Sequence, residues 1–244
     1  MLKDKRCLVT GGSRGLGREF CVAFARAGAK VAFTYSKDDG DADDARAKIA
    51  AVGTEPLVFK GSVADAAHVR KTVDDLASRW GGIDVLVNNA ALNQILPIAL
   101  LEEEDWDAVM NVNVKGAYLF SRAALRHMIK ARRGRILNVG AFSSERVIEA
   151  PVHFAASKSA LRGLTEALAR EVGRYSITVN LLAPGLLEAG MAAMLPQHRL
   201  GEYLSQCALA RTGTAAELAT AAVFLVSDEN TFMTGAKLVM DGGL

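Results

Sequence analysis

Short apolar runs alternate with longer helical patterns along almost the whole chain, and this alternation restricts the fold more than any other feature. Cys7-Leu8-Val9 is the first run, followed by glycines and an amphipathic stretch over 17–27. Val31-Ala32-Phe33 precedes a charged, Ala-rich helix over 41–52, and Leu57-Val58-Phe59 precedes a helix over 65–79. Asp84-Val85-Leu86-Val87 leads into a long helix over 105–131, and Arg135-Ile136-Leu137-Asn138-Val139 into one over 154–174. Thr178-Val179-Asn180-Leu181-Leu182, a last helix over 215–226 and Lys237-Leu238-Val239-Met240 complete the series. The runs lack strict polar–apolar alternation, so both faces of each strand are expected to be buried. Strand and helix alternating at this rhythm give right-handed crossovers, hence an α/β, doubly wound sheet of seven parallel strands with helices on both faces. Neither a linker nor a repeat interrupts the series. The expectation is one domain over 1–244, with the least regular segment, 186–207, as a lid beyond the carboxyl ends of the strands.

Composition narrows the partners. Of 244 residues half are hydrophobic and 23% charged, which excludes a disordered chain and is ample for a buried core. Lys and Arg number 29 against 27 Asp and Glu, so there is no electrostatic case for nucleic acid. Cys7, Cys21 and Cys207 are too scattered for a disulfide framework, and His68, His127, His153 and His198 show no zinc spacing. The longest uncharged stretch, 85–101, contains Asn88, Asn89, Asn93, Gln94 and Pro97, unsuited to a lipid-spanning helix. The N-terminal residues carry no apolar core of a signal peptide, and a cytoplasmic chain is expected.

Thr10-Gly11-Gly12-Ser13-Arg14-Gly15-Leu16-Gly17 lies between the first strand and the first helix. Glycines there let the chain turn tightly and bring backbone N–H groups and a helix N-terminus against a pyrophosphate. The strand before, the helix after and the place in the first crossover favour dinucleotide binding over an ordinary turn.

The spacing of Gly11, Gly15 and Gly17 is joined by Asn88-Asn89-Ala90-Ala91, by Asn113 in Val112-Asn113-Val114, by Lys158, by Pro184-Gly185, and by the closing Met233-Thr234-Gly235 and Asp241-Gly242-Gly243. On these motifs the chain resembles the short-chain dehydrogenase/reductase family along nearly its whole length, and most of all its β-ketoacyl-acyl-carrier-protein reductase branch. The resemblance implies a Rossmann domain that reduces a carbonyl with a nicotinamide dinucleotide. It places cofactor contacts at Gly11, Ser13, Arg14, Gly15, Leu16, Gly17, Ser36, Lys37, Ser62, Val63, Asn89, Ala90, Lys158, Pro184 and Gly185. It also implies a small-molecule or carrier-bound acyl substrate and a homo-oligomer, dimer or tetramer, alone or beside an active relative. An NAD site needs a carboxylate at the end of the second strand. Here Ser36 and Lys37 stand there, and with Arg14 they suit the 2′-phosphate of NADP(H). Asp38 and Asp39 keep NAD(H) as the alternative, and Ser62 replaces an aspartate that helps hold the adenine in similar proteins.

In this family a tyrosine four residues before the lysine supplies the proton, and a serine after the fifth strand holds the substrate oxygen. Those positions are Phe154 and Ala141 in this chain, and neither side chain carries a hydroxyl. Asn113 and Lys158 remain. Ala91 and Ala189 are further departures, from a glycine and a threonine. Substitute donors are sought in Ser143 or Ser144 on the loop after the fifth strand, in His153, in Glu145 or Glu149, and in Tyr203 swinging over from the lid; Tyr35, Tyr118 and Tyr175 match no such position. His153 is expected to point away, because adjacent helical residues diverge by about 100°. Three readings follow: a ketoreductase with an atypical site, a pseudoenzyme or structural subunit, and a non-redox reaction on the same scaffold. Ser-to-Ala and Tyr-to-Phe are also the changes by which such a site is silenced deliberately, whereas Ala91, Ala189 and Ser62 speak for natural divergence. The basic run over 126–135 reads as a helix end, where cations suit the dipole.

Overall fold

The computed structural model describes residues 1–146, 150–188 and 197–244. Each apolar run is a strand: β1 (Arg6–Val9), β2 (Lys30–Tyr35), β3 (Leu57–Lys60), β4 (Val85–Asn88), β5 (Gly134–Val139), β6 (Ile177–Pro184) and β7 (Lys237–Met240). They form one sheet in the order β3-β2-β1-β4-β5-β6-β7, with every pairing parallel. The order reverses between β1 and β4, which opens a crevice beyond their carboxyl ends.

Both faces of the sheet are covered, and this is why the runs do not alternate with polar residues. Cys7, Val9, Val31, Phe33, Val85 and Val87 pack toward helices α1 (Gly15–Arg26), α2 (Asp39–Ala50) and the last helix, α8 (Ala215–Val226). Leu8, Ala32, Leu86, Ile136 and Val179 pack the opposite way, toward α3 (Ala66–Trp80), α5 (Gly116–Ala131) and α6 (Val152–Val172).

Helix starts follow local chemistry. The Asp38 carboxylate accepts from Asp41 N at 2.9 Å, which moves the start of α2 ahead of residue 41. Asp65 caps α3, and Gly81, at φ +76°, ends it. One expected element is divided. The long helix over 105–131 is α4 (Glu103–Met110), a π turn (Asn111–Lys115) and α5 in succession. Gly116, directly after the π turn, lies against Val63, where a β-carbon would come within 2.7 Å of Val63 Cγ2. The segment expected as a lid contains α7 (Gln197–Gln206); residues 189–196, within that lid, fall outside the described residues. Among the described residues no helix is long and apolar enough to cross a membrane.

Candidate active site at the carboxyl edge of the sheet

The glycine loop is fastened from below before it meets any ligand. Thr10 Oγ1 accepts from the backbone N–H groups of Asn89 (3.0 Å) and Ala90 (3.1 Å), and Gly12 N donates to Thr34 O. Asn89 Nδ2 donates to the carbonyls of Thr10 and Gly11, both at 3.0 Å. Asn89 therefore ties β4 to the loop, and its amide nitrogen is already engaged. Gly11 adopts φ +67°, and a β-carbon there would lie 2.9 Å from Ala90 Cα. Gly15, at φ +53°, faces open space, with nothing within 4 Å of a β-carbon. Helix α1 begins there with no side-chain cap and no acid in its first turn. An uncapped N-terminus over an open glycine is a cradle for an anion, so the loop fits a dinucleotide pyrophosphate. Ser13 is buried in this loop and Leu16 half-buried.

The end of β2 resolves the two nearby acids. Asp38 is committed to capping α2. Asp39 accepts from Tyr35 Oη and from Lys60 Nζ, each at 2.7 Å, and both bonds hold its carboxyl below the usual range. The same bond pushes the Tyr35 phenol up to about 12. Ser36 and Lys37 are exposed; Arg14 is exposed too, its nearest carboxylate oxygen on Asp41 at 3.7 Å. Across the crevice, Val63 is buried, while Ser62 Oγ accepts from Ala64 N.

A buried polar chain runs beneath the crevice. Asn88 Nδ2 donates to Ser121 Oγ (3.0 Å) and Asn138 Oδ1 (2.8 Å), and Asn138 Nδ2 donates to Thr165 Oγ1 (2.9 Å). It joins β4, β5, α5 and α6 by side chains where the strands end. Above it, Asn113 sits in the π turn, 1% exposed. Its Oδ1 accepts from Leu92 N at 2.7 Å, and its Nδ2 donates to Leu92 O (3.0 Å) and Ser157 Oγ (2.9 Å). The side chain thus pairs with the loop after β4 as another strand would. Periodicity at 3.6 residues carries no mark of such a turn.

Phe154 and Lys158 share one face of α6, as their spacing requires. Lys158 Nζ donates to Val139 O, the last residue of β5, at 2.8 Å, and lies 5.6 Å from the centroid of the Phe154 ring. Burial alone brings its ammonium down to about 8. Ala141 and Phe154 are buried, 4% and 6% exposed, so neither replacement leaves an open hole at the surface.

The substitute donors fare unequally. Ser144 Oγ donates to Ala141 O at 2.7 Å and is engaged in its own turn. Ser143 Oγ is buried without a hydrogen-bond partner among the described residues. Glu145 pairs with Lys237 Nζ at 3.3 Å. His153 is fully buried with neither ring nitrogen bonded among the described residues, on the α6 face of Ser157 rather than that of Lys158. Tyr203 is fastened away from Lys158: its hydroxyl accepts from Leu186 N at 3.0 Å and donates to Asp241 O at 3.3 Å. Burial pushes that phenol up to about 12, and its ring meets Phe142 edge-on. Glu149 and Ala189 lie outside the described residues.

One junction escaped the sequence. Asp241 binds Arg146 Nε at 2.9 Å through its carboxylate, and its carbonyl receives Tyr203 Oη and Cys207 Sγ. Gly185, following Pro184 at the end of β6, has no room for a side chain here: a β-carbon would lie 2.7 Å from both Asp241 Cα and Tyr203 Oη. The only signal was the Asp241-Gly242-Gly243 motif itself.

Comparison with known proteins agrees along the length of the chain. The family described as Enoyl-(Acyl carrier protein) reductase matches residues 11–244. The 3-oxoacyl-acyl-carrier-protein reductase of Thermotoga maritima is 36% identical over 244 residues, covering 100% of this chain and 98% of that protein. A short-chain dehydrogenase from Burkholderia cenocepacia J2315, solved in complex with NADP, superposes with a TM-score of 0.89 at 37% identity, over 99% of this chain and 98% of that one. An NAD+-bound xylitol dehydrogenase superposes at 0.93 with 27% identity, over 99% of each chain.

Proposed function

Because the chain belongs to the short-chain dehydrogenase/reductase family, we propose that it is an NADP(H)-dependent ketoreductase of a β-ketoacyl thioester or related ketone, with an active site that lacks the usual serine and tyrosine hydroxyls. The observation that carries this reading is the glycine loop, braced by Thr10 and Asn89 and open above Gly15 at an uncapped helix start. Gly11 to Gly17, with Ser13, would hold the pyrophosphate. Arg14, Ser36 and Lys37 would meet the 2′-phosphate. Asp38 and Asp39 are engaged by the α2 cap and by Lys60 with Tyr35, which speaks against a ribose-binding acid there and supports NADP(H) over the NAD(H) alternative. Ser62 and Val63 would border the adenine, Asn89, Ala90 and Lys158 the nicotinamide ribose, and Pro184 with Gly185 the nicotinamide. Bound there, the dinucleotide supplies a hydride. The chain's own work is to orient the ketone beyond β5, to exclude water with the segment over 186–207, and to supply a proton. Asn113 holds the Leu92 loop against Ser157 of α6, which fixes the helix that carries Lys158.

A carrier-bound acyl substrate is supported by the name of the Thermotoga maritima relative. A homo-oligomer, dimer or tetramer, is supported by exposed apolar side chains on α5, α6, α8 and the approach to β7: Tyr118, Val152, Phe224 and Phe232. The second reading, a pseudoenzyme or structural subunit beside an active relative, is favoured by Ala141 and Phe154 themselves, both packed in as apolar residues.

The test runs the chain beside its Ala141→Ser/Phe154→Tyr variant, measuring NADPH binding by calorimetry and NADPH oxidation with a β-ketoacyl thioester. Equal binding is expected, with slow but measurable reduction by the native chain. A regained acid and oxyanion donor should raise turnover by roughly 10²-fold or more. Failure of both chains to bind NADPH removes the cofactor reading. Binding without any native turnover hands the chain to the pseudoenzyme reading.

A further inference from the structure

Reduction of a ketone adds a hydride to carbon and a proton to oxygen, and the proton needs a source. Resting on the ketoreductase reading, the hydroxyls and acids near the crevice can be taken in turn. Ser144 is bound to Ala141 O, Glu145 to Lys237, and Tyr203 to Leu186 and Asp241. His153 lies on another face of α6, and a serine such as Ser143 donates a hydrogen bond without giving up its proton. Lys158 differs from all of these. Its ammonium has three N–H bonds, and one of them is used, on Val139 O. No carboxylate pairs with it among the described residues. It lies over the Phe154 ring, where the absent hydroxyl leaves only an apolar face.

We propose that Lys158 is itself the proton donor of this enzyme, giving the proton from Nζ directly to the carbonyl oxygen, with Phe154 as the aromatic floor that holds the ammonium. In the step, the carbonyl carbon receives a hydride from a dihydronicotinamide and the π pair of C=O moves to oxygen. That oxygen takes a proton from Nζ, whose N–H bond breaks. Lys158 is left as a neutral amine and regains its proton from water. Burial favours the neutral amine, so the site stabilises the lysine in the form that the reaction produces. With its ammonium brought down to about 8, Lys158 is charged at neutral pH yet close enough to it to transfer a proton. Charged groups on the elements around it act elsewhere: Glu145 with Lys237 and Arg146 with Asp241 on the β5 loop, and Asp105 of α4 with Gln94. Lys115 of the π turn is exposed, and neither ring nitrogen of His153 on α6 has a hydrogen-bond partner among the described residues.

Two measurements test this. In the nucleotide-free chain with ¹³C-labelled lysine, the Cε resonance missing from Lys158→Arg should titrate near 8, apart from the other lysines; a midpoint above 10 overturns the proposal. In reduction of a β-ketoacyl thioester, Lys158→Arg keeps the charge but gives up no proton near neutrality. NADPH binding should persist while native turnover falls by about 10²-fold or more. In the Ala141→Ser/Phe154→Tyr background the phenol is the donor, and the same Lys158→Arg change should leave reduction measurable. Retained reduction by Lys158→Arg in the native background overturns the proposal, as does NADPH binding with no native reduction. Absence of NADPH binding in every variant instead overturns the ketoreductase reading on which it rests.

Discussion

A methyl group at position 17 would enter the van der Waals envelope of the Gly11 carbonyl oxygen and lie 2.5 Å from Asn89 Nδ2. Both neighbours are fixed, since Asn89 Nδ2 is the bond that braces the loop. One is backbone, and the other is a side-chain end held by bonds to the Thr10 and Gly11 carbonyls, so the loop itself must move. Gly17→Ala is expected to destabilise the fold by about 1–3 kcal/mol in urea titration and to weaken NADPH binding by more than about tenfold, because the backbone donors no longer converge. Unchanged affinity would show that the pyrophosphate does not sit on this loop. Gly15→Ala makes the control for space: there a β-carbon meets nothing, and only the φ of +53° opposes it. Tyr203 illustrates the opposite use of a polar side chain. Its hydroxyl is consumed by the backbone of Leu186 and Asp241, so a residue placed by sequence among the candidate donors proves to be a fastening of α7 to the sheet.

At the scale of elements, the last helix shows how local signals set boundaries. Thr214 Oγ1 accepts from Glu217 N at 3.2 Å, and the Glu217 carboxylate accepts from Thr214 N at 2.8 Å, a reciprocal cap for α8. The Arg211 guanidinium bound to it, with the Thr214 N–H, brings the Glu217 carboxyl down to about 2. A depressed carboxyl contributes stability above its ordinary range, and that contribution is lost as pH falls toward 2. Thr214→Ala is expected to destabilise the chain by about 1 kcal/mol, read as a lower urea midpoint with an unchanged m-value. An effect on m would point to unravelling of α8 from α1. The seven apolar strands were legible because each is written in adjacent residues, whereas the caps at Asp38 and Thr214 were not read from the sequence, and Asp38 shifted a helix start. The π turn was not legible either: it inserts one residue into an otherwise continuous helical pattern, and only the pairing of Asn113 with Leu92, 21 positions away, reveals it. The spacing of Phe154 and Lys158 gave their shared face directly. What surrounds them, the Arg146–Asp241 pair and the Lys237–Glu145 pair, joins segments far apart in sequence, and no local pattern encodes it.

For the whole molecule, Lys158 makes stability depend on pH in a window where the buried thiols of Cys7 and Cys21, pushed up by burial, act with the opposite sign, so its share is read by comparison with a variant that lacks it. Its ammonium is brought down to about 8 in the folded chain and returns to about 10.4 when unfolded. Below 8 both states carry the proton and the full penalty of burying the charge is present. Between 8 and 10 the unfolded chain holds a proton on Lys158 that the folded one has lost, so this residue's contribution to the free energy of unfolding rises with pH. From 8 to 9.5 the Lys158 contribution rises by about 1.5 kcal/mol. Above 10 the sign turns, because Tyr35 and Tyr203 hold their protons up to about 12 when folded and resist ionisation that the unfolded chain undergoes freely. Lys158→Met lacks the rising limb and keeps the falling one. Urea unfolding of both chains at pH 7, 8 and 9.5 is therefore expected to show Lys158→Met more stable at pH 7, with the gap narrowing by about 2 kcal/mol by pH 9.5. Parallel curves would mean that the ammonium is solvated in the folded chain. That result would also withdraw the buried, readily released proton from which the catalytic proposal starts.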